Sequence, residues 1–457
     1  MSQHITYSSA NLDPWNKKID SISDLLQVFI KTQKNKNEFM IGLEYEIFVL
    51  TDKNLTPIKF NGDHSIEKLF AYLMQQSKTL FTKLEPIYDN EYIVALENKN
   101  TVIALEPGGQ LEIAAKPQIN VEECVKNFSC IINFIDKCCK DLGLYLLSVG
   151  FHPKASIPQM ANVPKSRYDI MRNYMPKVGS MGLEMMYRTC SIQINLDYEN
   201  ELDMVKKMRM GAKLSPILCA LSSSAAFYEN KIIKQSAFRS HIWQNTDAQR
   251  TGIPKIIFSD DFSYKSWIEF VLDVPMYFIR KDEKYIDMSG KSFRDFINYG
   301  HLNYHATIRD FIDHMSTVFT EVRLKPFIEL RSIDCLPVIF VNAISALIWY
   351  LFYDDKISIQ LDKILSKISY EELIELNKNI VNSGCNSTVM GKNIWEILQE
   401  IVILTKNSNL SMTIKPIYDL INQKITASQW IKDHQKDYLN DNEWLLNNFS
   451  PLSKNFI

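Results

Sequence analysis

The stretch GLEYEIFVL, residues 42–50, decides the fold class because polar and apolar side chains alternate along it. Residues two apart on a β-strand project from the same face, so the pattern predicts a strand that presents Glu44 and Glu46 together. The opposite, apolar face is formed by Leu43, Tyr45 and Ile47. Two neighbouring carboxylates are a ready metal-binding edge, although one such pair alone is more often the solvent-exposed side of an amphipathic strand.

Three further segments repeat this alternation. In LEPGGQLEIAA (105–115), Glu106 precedes a Pro-Gly-Gly turn or bulge, after which Gln110 and Glu112 share one face. The polar positions of RTCSIQINLD (188–197) and PFIELRSID (326–334) are Ser191, Gln193, Asn195, Asp197, Glu329 and Arg331. Carboxylates gathered on one concave face are costly unless cations neutralise them, and oxygen ligands without clustered His or Cys favour Mg²⁺ or Mn²⁺. Jointly, the four segments predict a divalent metal site.

Apolar spacing and alternation outline the remaining elements. Helices are predicted at 21–34, 65–76, 121–141 and 204–228, and strands at 40–50, 101–115, 144–150, 187–197 and 326–334. The apolar run 338–352 is shorter than a bilayer span and predicts a buried helix. Alternating strands of this kind favour an antiparallel sheet. We expect one domain over 1–457, with a helical C-terminal region at about 354–457 that carries no recognisable chemistry and has caps such as Ser369.

Composition excludes several classes of protein. The 457 residues are 46% hydrophobic and 23% charged with a formal net charge of −2, so no global field favours nucleic acid or a membrane surface. The first residues show neither a secretory signal nor an Arg-rich transit peptide, which predicts a cytoplasmic protein that acts on small molecules. Eight cysteines without metal-ligand spacing indicate free, mostly buried thiols.

Basic residues could supply the cations that phosphate chemistry needs. The segments KSRYDIMRNYMPKVG (165–179) and RSHIWQNTDAQRTG (239–252) contribute Lys165, Arg167, Arg172, Lys177, Arg239 and Arg250. Basic residues among aromatics are equally typical of a solvated loop or an RNA surface, and the near-neutral total argues against RNA. No GxxxxGK[ST] or GxGxxG motif occurs, so metal ions would hold any phosphates. HLNYH (301–305) lacks the Glu of HExxH, and we interpret it as structural.

A longer pattern resembles a known family. The segments IGLEYE, LEPGGQLE, FRSHIWQNTDAQRTG, LDVPMYF and EVRLKPFIELRS, with the block from Arg167 to Asp197, resemble the plant and bacterial type of glutamate–cysteine ligase over about 40–353. The resemblance implies an α+β, glutamine-synthetase-like fold, in which an antiparallel sheet curls into a funnel with helices outside. It also implies ligation of the glutamate γ-carboxylate to the cysteine amine through a γ-glutamyl phosphate, with ATP as co-substrate and Mg²⁺, or Mn²⁺, as cofactor.

The resemblance also implies roles for individual residues. The Mg²⁺ ligands would be Glu44, Glu46, Glu106, Glu112 and Glu329, with Gln193 and Asn195 completing the set. Arg331 resembles the arginine that holds the transferred phosphoryl group, and Glu329 would act with it. Substrate carboxylate or ATP phosphates would bind Lys165, Arg167, Arg172, Arg239 and Arg250.

Alternatives to this activity remain open. One is a related carboxylate–amine ligase with another acceptor amine, and another is a non-catalytic binding relative. The retained carboxylates and Arg331 argue against the second alternative. The partners would be glutamate, cysteine and ATP, with neither nucleic acid nor membrane, and the chain would be a monomer or a homodimer.

Overall fold

The computed structural model describes residues 15–282 and 284–456. Its strands are β1 (Ile41–Leu50), β2 (Glu85–Asp89), β3 (Tyr92–Glu97), β4 (Thr101–Leu105), β5 (Leu111–Gln118), β6 (Tyr145–Leu147), β7 (Ser191–Leu196), β8 (Phe227–Tyr228), β9 (Lys231–Ile232), β10 (Thr251–Gly252), β11 (Phe278–Lys281), β12 (Lys284–Asp287), β13 (Phe319–Thr320), β14 (Val322–Leu324), β15 (Ile328–Asp334), β16 (Thr388–Val389) and β17 (Lys392–Asn393).

The helices surround these strands. They are α1 (Ile22–Ile30), α2 (Ile66–Leu80), α3 (Val121–Asp141), α4 (Ser166–Val178), α5 (Gly182–Arg188), α6 (Glu201–Ser222), α7 (Phe238–Gln244), α8 (Tyr264–Asp273), α9 (Phe293–Tyr299), α10 (Ile308–Met315), α11 (Val338–Tyr353), α12 (Asp355–Leu365), α13 (Tyr370–Ser383), α14 (Ile394–Ile403), α15 (Ser411–Gln423), α16 (Ala427–Asp433), α17 (Gln435–Asn440) and α18 (Asn442–Phe449).

In the described part of the chain, nine strands form one antiparallel sheet. Its order is β14-β15-β7-β1-β5-β4-β3-β2, and β6 pairs with the end of β1. The sheet does not close, yet Tyr88 at one edge and Arg323 at the other line the same cavity, so the sheet curls around it. Helices α3 and α6 pack on the outer face, against β1 and β5 and against β14 and β15 respectively. The α+β prediction is confirmed.

Strand β1 lies inside the sheet, between β7 and β5, and its apolar residues are completely buried. Leu43, Tyr45 and Ile47 are at most 1% exposed, and the Tyr45 ring meets Phe128 of α3 edge-on with ring centroids 5.6 Å apart. The Tyr45 hydroxyl donates to Ser148 Oγ at 2.7 Å, which satisfies the one polar atom of that side chain in the core. The other face of β1 is left for its carboxylates.

The predicted elements are found with shifted bounds. The predicted strand at 101–115 is the hairpin β4–β5, because the Pro-Gly-Gly segment forms its turn, in which Gly109 has a φ of +85°. The strand predicted at 187–197 is shorter, because its first two residues belong to α5. The helix predicted at 204–228 ends at Ser222, and residues 223–226 connect α6 to β8. The segment 165–179, for which a loop was one interpretation, forms α4. All eight cysteines are free, and only Cys130 is exposed, as predicted.

Beyond residue 353 the described chain consists of α12 to α18 and the small hairpin β16–β17. The predicted cap at Ser369 is present, since its Oγ accepts from Glu372 N at 3.2 Å and Glu372 Oε2 accepts from Ser369 N at 2.9 Å. The division into one domain with a helical C-terminal region stays a prediction.

None of the described helices is by itself long and apolar enough to span a membrane, while α11 and α12 reach that length and hydropathy only together, as a pair bent by 91°.

A buried histidine makes part of the stability depend on pH. The His314 ring stacks on Phe293 with centroids 4.9 Å apart, and its Nε2 lies 2.9 Å from the Val271 carbonyl oxygen. Burial lowers the pKa of His314 to about 4. Because this lies below the ordinary value of 6.5, protonation favours the unfolded chain. We expect the contribution of His314 to the free energy of unfolding to fall by about 2 kcal/mol between pH 7 and pH 5.

The measurement compares urea unfolding of the parent with that of His314→Gln at both pH values. The comparison is needed because Glu46, Glu106 and Glu112, whose pKa values are raised by burial, titrate in the opposite sense and offset the effect in the parent alone. The difference in the free energy of unfolding between the parent and the variant should shrink as the pH falls. An advantage that is the same at pH 7 and pH 5 would contradict the prediction.

Candidate active site

The concave face of the sheet encloses a cavity of about 740 Å³. Strands β1, β2, β3, β5 and β7 contribute to its lining, together with helices α4, α7 and α10. The cavity collects most of the residues that the sequence singled out, namely Glu44, Glu46, Glu106, Glu112, Lys165, Arg167, Gln193, Arg239 and Arg331.

Carboxylates of β1 and β5 form the acidic wall of the cavity. Glu46 and Glu112 lie directly opposite each other on the paired strands, and like charges in that position repel. Burial raises the pKa of Glu46 to about 7 and that of Glu112 to about 8, and neighbouring carboxylates add to both shifts. Glu106 behaves in the same way, since burial and Glu46 raise its pKa to about 7. The wall therefore favours the binding of either protons or cations.

The turn that carries Glu106 is fixed by close packing. Gly109 N donates to Glu106 O at 2.9 Å, and Glu106 N donates to Gln110 O at 2.9 Å. A Cβ atom on Gly108 would lie 2.2 Å from the Tyr187 carbonyl oxygen, so only glycine fits there. The Pro-Gly-Gly sequence thus holds Glu106 beside the acidic wall.

Side chains of β7 orient two of these carboxylates. Ser191 Oγ donates to Glu46 Oε2 at 3.0 Å, and Gln193 Nε2 donates to Glu46 Oε1 at 3.1 Å. Asn195 Nδ2 donates to Glu44 Oε1 at 2.8 Å. Gln193 lines the cavity, whereas Asn195 lies beneath Glu44 and is not part of the described lining. In this arrangement Asn195 positions a carboxylate, and its predicted role as a metal ligand stays a prediction.

A cluster of cations lines the same cavity as the acidic wall. Glu329 accepts from Arg323 Nε at 2.7 Å, from Arg331 Nη1 at 2.7 Å and from Lys325 Nζ at 3.1 Å. Burial would raise the pKa of the Glu329 carboxyl, but these three cations hold it well below its usual range. Glu329 is fully buried and does not belong to the described lining, while all three cations do. The Glu329 carboxylate therefore holds the three cations together from a position outside the described lining.

A β-bulge aims Arg331 into the cavity. Leu330 pairs with Ile194 and Ile333 with Ile192, so Arg331 and Ser332 together oppose Gln193. Arg331 Nη1 also donates to Gln193 Oε1 at 2.6 Å. The guanidinium thus joins the cation cluster to the β7 side chain that contacts the acidic wall.

Three more basic residues line the cavity or support its lining. Lys165 Nζ donates to the Leu105 carbonyl at 2.6 Å, and burial beside Arg167 lowers its pKa to about 8. Arg239 Nη2 donates to the Arg331 carbonyl at 3.2 Å, so α7 braces the bulge. These positions agree with the basic residues predicted near the site.

The structure does not bring two predicted arginines to the cavity lining that it describes. Arg172 pairs with Asp169 at 2.9 Å, also contacts Asn162, and does not belong to the described lining. Arg250 is fully buried, with its Nε 2.7 Å from Asp247 Oδ2 and its guanidinium 3.7 Å from the Tyr277 ring centroid. Both sets of contacts are those of structural arginines, so the positions give the predicted substrate or ATP contacts no support.

The acidic wall suits a hard divalent cation by its chemistry. Four carboxylates, Glu44, Glu46, Glu106 and Glu112, line the cavity without imidazole or thiolate neighbours. Among the residues described, no three His, Cys, Asp or Glu side chains are already arranged as a metal site. Mg²⁺ keeps several waters and binds one or two carboxylates together with substrate phosphates, so it does not require a closed protein cage. The residues fit that mode of binding.

Several lining residues were missed by the sequence analysis. Arg323 and Lys325 stand in the segment EVRLK, which was noted only for its resemblance, although their spacing of two residues is a local signal that could have placed both on one face of an extended segment. Arg280, Arg309 and Asp313 also line the cavity. No local motif marks those three, because β11 and α10 meet the cavity only through tertiary packing.

Comparisons with known proteins agree with this geometry. Residues 40–436 match the model of glutamate–cysteine ligase family 2. The chain is 34% identical over 388 residues to glutamate–cysteine ligase B, chloroplastic, of Oryza sativa subsp. japonica, which covers 84% of this chain and 76% of the relative. It is 35% identical over 389 residues to the chloroplastic glutamate–cysteine ligase of Nicotiana tabacum, covering 84% and 72%.

A solved structure shares the fold. Glutamate–cysteine ligase from Francisella tularensis in complex with AMP superimposes with a TM-score of 0.52 over 90% of this chain and 89% of that chain. Its sequence identity is 12%, so the likeness concerns the fold alone. The family model and the plant relatives, in contrast, match at the level of sequence over most of the chain. The chain belongs to glutamate–cysteine ligase family 2, whose members form γ-glutamylcysteine.

Proposed function

We propose that this ligase activates the γ-carboxylate of glutamate with ATP and Mg²⁺, or Mn²⁺, as a γ-glutamyl phosphate. A γ-carboxylate oxygen attacks the γ-phosphorus of ATP and ADP leaves, after which the cysteine amine attacks the carbonyl carbon of the acyl phosphate. Phosphate leaves, the amine loses a proton, and γ-glutamylcysteine is formed. The observation that carries the proposal is that an acidic wall and a cation cluster line one cavity.

The use of ATP is supported by the distribution of charge. Lys165, Arg239, Arg323, Lys325 and Arg331 line the cavity and offer donors to an anionic ligand, in the absence of a Walker loop. The structural neighbour from Francisella tularensis binds AMP, which is consistent with a nucleotide in this fold. Glu329 keeps three of these cations together, so they can act on one phosphoryl group.

Metal binding is supported by the acidic wall. Glu44, Glu46, Glu106 and Glu112 would hold the ion, and Gln193 would orient Glu46. When bound, Mg²⁺ neutralises charge on the phosphate oxygens and aligns them for transfer. Burial, and to a smaller extent neighbouring carboxylates, raises the pKa values of Glu46, Glu106 and Glu112, so a bound cation would favour their ionised forms.

Arg331 is the residue that we assign to the transferred phosphoryl group. Its guanidinium is held from behind by Glu329 and Gln193 and presents its remaining donors to the cavity. A preorganised cation of this kind stabilises charge that develops in the transition state. The chain supplies no covalent group to the reaction.

An isotope experiment tests the proposed pathway. Glutamate labelled with ¹⁸O in its γ-carboxylate should give γ-glutamylcysteine, ADP and phosphate that carries one ¹⁸O atom, because the acyl phosphate passes that oxygen to phosphate. Mass spectrometry of the products measures the transfer. Unlabelled phosphate formed together with γ-glutamylcysteine would exclude the acyl phosphate, and AMP in place of ADP would exclude γ-phosphoryl transfer.

The same assay with other amines defines the acceptor. Because sulfur takes no part in the bond that forms, small amino acids such as 2-aminobutyrate should also be joined to glutamate. A strict preference for a polyamine would favour the alternative of a related carboxylate–amine ligase. The cytoplasmic location and the monomeric or dimeric state stay predictions, to be measured by fractionation and by light scattering.

A further inference from the structure

We infer that Asp313, with Arg167 and Arg280, forms a subsite for the charged head group of an α-amino acid, with the ammonium at Asp313 and the carboxylate at the arginines. The inference rests on the proposed function only in taking glutamate and cysteine as the amino acids concerned. All three side chains line the cavity, on the side of α4, α10 and β11.

Helix α10 separates the roles of its two neighbouring aspartates. Asp310 is engaged in structure, since its Oδ2 accepts from Thr307 N at 2.8 Å and from Thr307 Oγ1 at 2.7 Å and pairs with Lys281 at 2.5 Å. Asp313, one turn later, lines the cavity and is half-buried. Its carboxylate is thus presented to a ligand, while Asp310 fixes the start of the helix and ties it to β11.

The surroundings of Asp313 are cationic. Burial, with a contribution from Asp310, raises the pKa of its carboxyl group to about 6. Arg309, Arg280 and Arg167 act on the same group in the opposite direction. Arg280 stands over the Tyr285 ring at 5.8 Å, and Arg167 over the Tyr168 ring at 5.2 Å, so both guanidinium groups are oriented by aromatic faces. This part of the cavity, the lobe formed by Asp313, Arg167 and Arg280, combines fixed donors for a carboxylate with one acceptor for an ammonium group.

This lobe adjoins the reacting centre from two sides. Ser316, three residues after Asp313, accepts through its carbonyl from Arg323 Nη1 at 2.6 Å, and Arg323 also holds Glu329. Three residues span at most about 11 Å, so Asp313 lies close to the cation cluster. On the other side, Arg167 acts electrostatically on Glu106 and Glu112. A head group held in the lobe therefore leaves the rest of the amino acid near the site of phosphoryl transfer.

The charge pattern distinguishes an amino acid from a nucleotide. A carboxylate beside two arginines complements a zwitterion, since each charge of the ligand meets its opposite in a charge-assisted hydrogen bond. A phosphate group in the same place would be repelled by Asp313. The cation cluster sets three basic side chains around Glu329, a carboxylate outside the described lining, so its charge suits a phosphate group better than a zwitterion.

The test is the variant Asp313→Asn, which keeps the shape of the side chain and removes its charge. Loss of one charge-assisted contact should raise the KM of one amino acid by about 10- to 100-fold, with kcat and the KM of ATP changed little. Calorimetric titration of glutamate and of cysteine should show the same loss of affinity without turnover. The matched control is Asp295→Asn, the same change at an exposed position of α9.

Two measurements identify the amino acid that is bound: the preference for glutamate over glutarate, and the KM of cysteine. If the head group is that of the donor, Asp313→Asn should narrow the preference for glutamate over glutarate, which lacks the α-amine, by about tenfold or more. If it belongs to the acceptor, that preference should persist while the KM of cysteine rises. Unchanged KM and binding for both amino acids in folded Asp313→Asn would overturn the inference.

A second variant covers the case in which Asp313→Asn does not fold, as judged by circular dichroism. Arg280→Gln removes the guanidinium of β11 that would bind the carboxylate of the ligand. It should raise the KM of the same amino acid, and an unchanged KM would overturn the inference. The outcome is separable from the proposed function. If the parent binds the amino acid in an Asp313-dependent manner but transfers no ¹⁸O to phosphate, the proposed chemistry fails and the subsite stands.

Discussion

Arg331→Ala should lower the rate of γ-glutamylcysteine formation by about a hundredfold or more, in line with removal of a preorganised transition-state donor. Thermal unfolding should change little, because Glu329 keeps its ion pairs with Arg323 and Lys325 when Arg331 is lost. The measurement is kcat from the appearance of γ-glutamylcysteine, with the unfolding temperature as a check on folding. Raising the Mg²⁺ concentration should not restore activity, since in the proposed mechanism the missing group contacts the phosphoryl oxygens directly.

Two comparisons sharpen this prediction. Arg331→Lys keeps the charge but not the planar pair of donors, so it should retain more activity than the alanine variant. Glu329→Gln should reduce both activity and stability, because it leaves three cations buried around a neutral side chain. Near-parental turnover by folded Arg331→Ala protein would show that β15 does not contribute to the active site.

Removal of divalent cations should abolish ATP turnover altogether. In excess EDTA the acidic wall has no counter-ion and the phosphates have no metal partner, and addition of Mg²⁺ or Mn²⁺ beyond the chelator should restore activity. ADP release measured across a metal titration tests this expectation. EDTA already saturated with Mg²⁺ is the control for effects of the chelator itself. Full turnover in excess free EDTA would be incompatible with the proposed mechanism.

The metal requirement should depend on the acidic wall. Glu112→Gln removes one carboxylate opposite Glu46 and should raise the Mg²⁺ concentration for half-maximal activity by about tenfold or more. Glu123→Gln, the same change at an exposed position of α3, should leave the metal titration unchanged. Equal titrations for both variants would remove Glu112 from the set of candidate ligands.

Much of the fold could be predicted from alternation in the sequence. The pattern around Glu44 and Glu46 identified β1 and its two faces, because a central strand that buries one face and serves a cavity with the other must alternate. The hairpin β2–β3 escaped prediction, since its strands at the rim are partly exposed and their polar and apolar residues follow no strict alternation. Alternation identifies strands only where each face has a distinct environment.

The site could be predicted in part for the same reason. Strand periodicity placed Glu329 and Arg331 together, but it could not show that Glu329 lies beneath the cavity under three cations. A bulge shifts the register between Leu330 and Ile333, and the sequence SID carries no signal of it. Contacts of this kind, and the approach of α10 and β11, are fixed by tertiary packing.

The central position of β1 has a consequence for synthesis of the chain. One edge of β1 pairs with β5 soon after both have been made, whereas its other neighbour, β7, arrives about 150 residues later and Arg331 about 290 residues later. At about 5–20 residues per second the ribosome needs about 15–60 s between Glu44 and Arg331. Until β7 has been made, which takes about 8–30 s at this rate, the edge of β1 beside Glu44 and Glu46 lacks its final partner, and charged residues at such an edge oppose aggregation. The carboxylates to which we assign metal binding would therefore also protect the nascent strand.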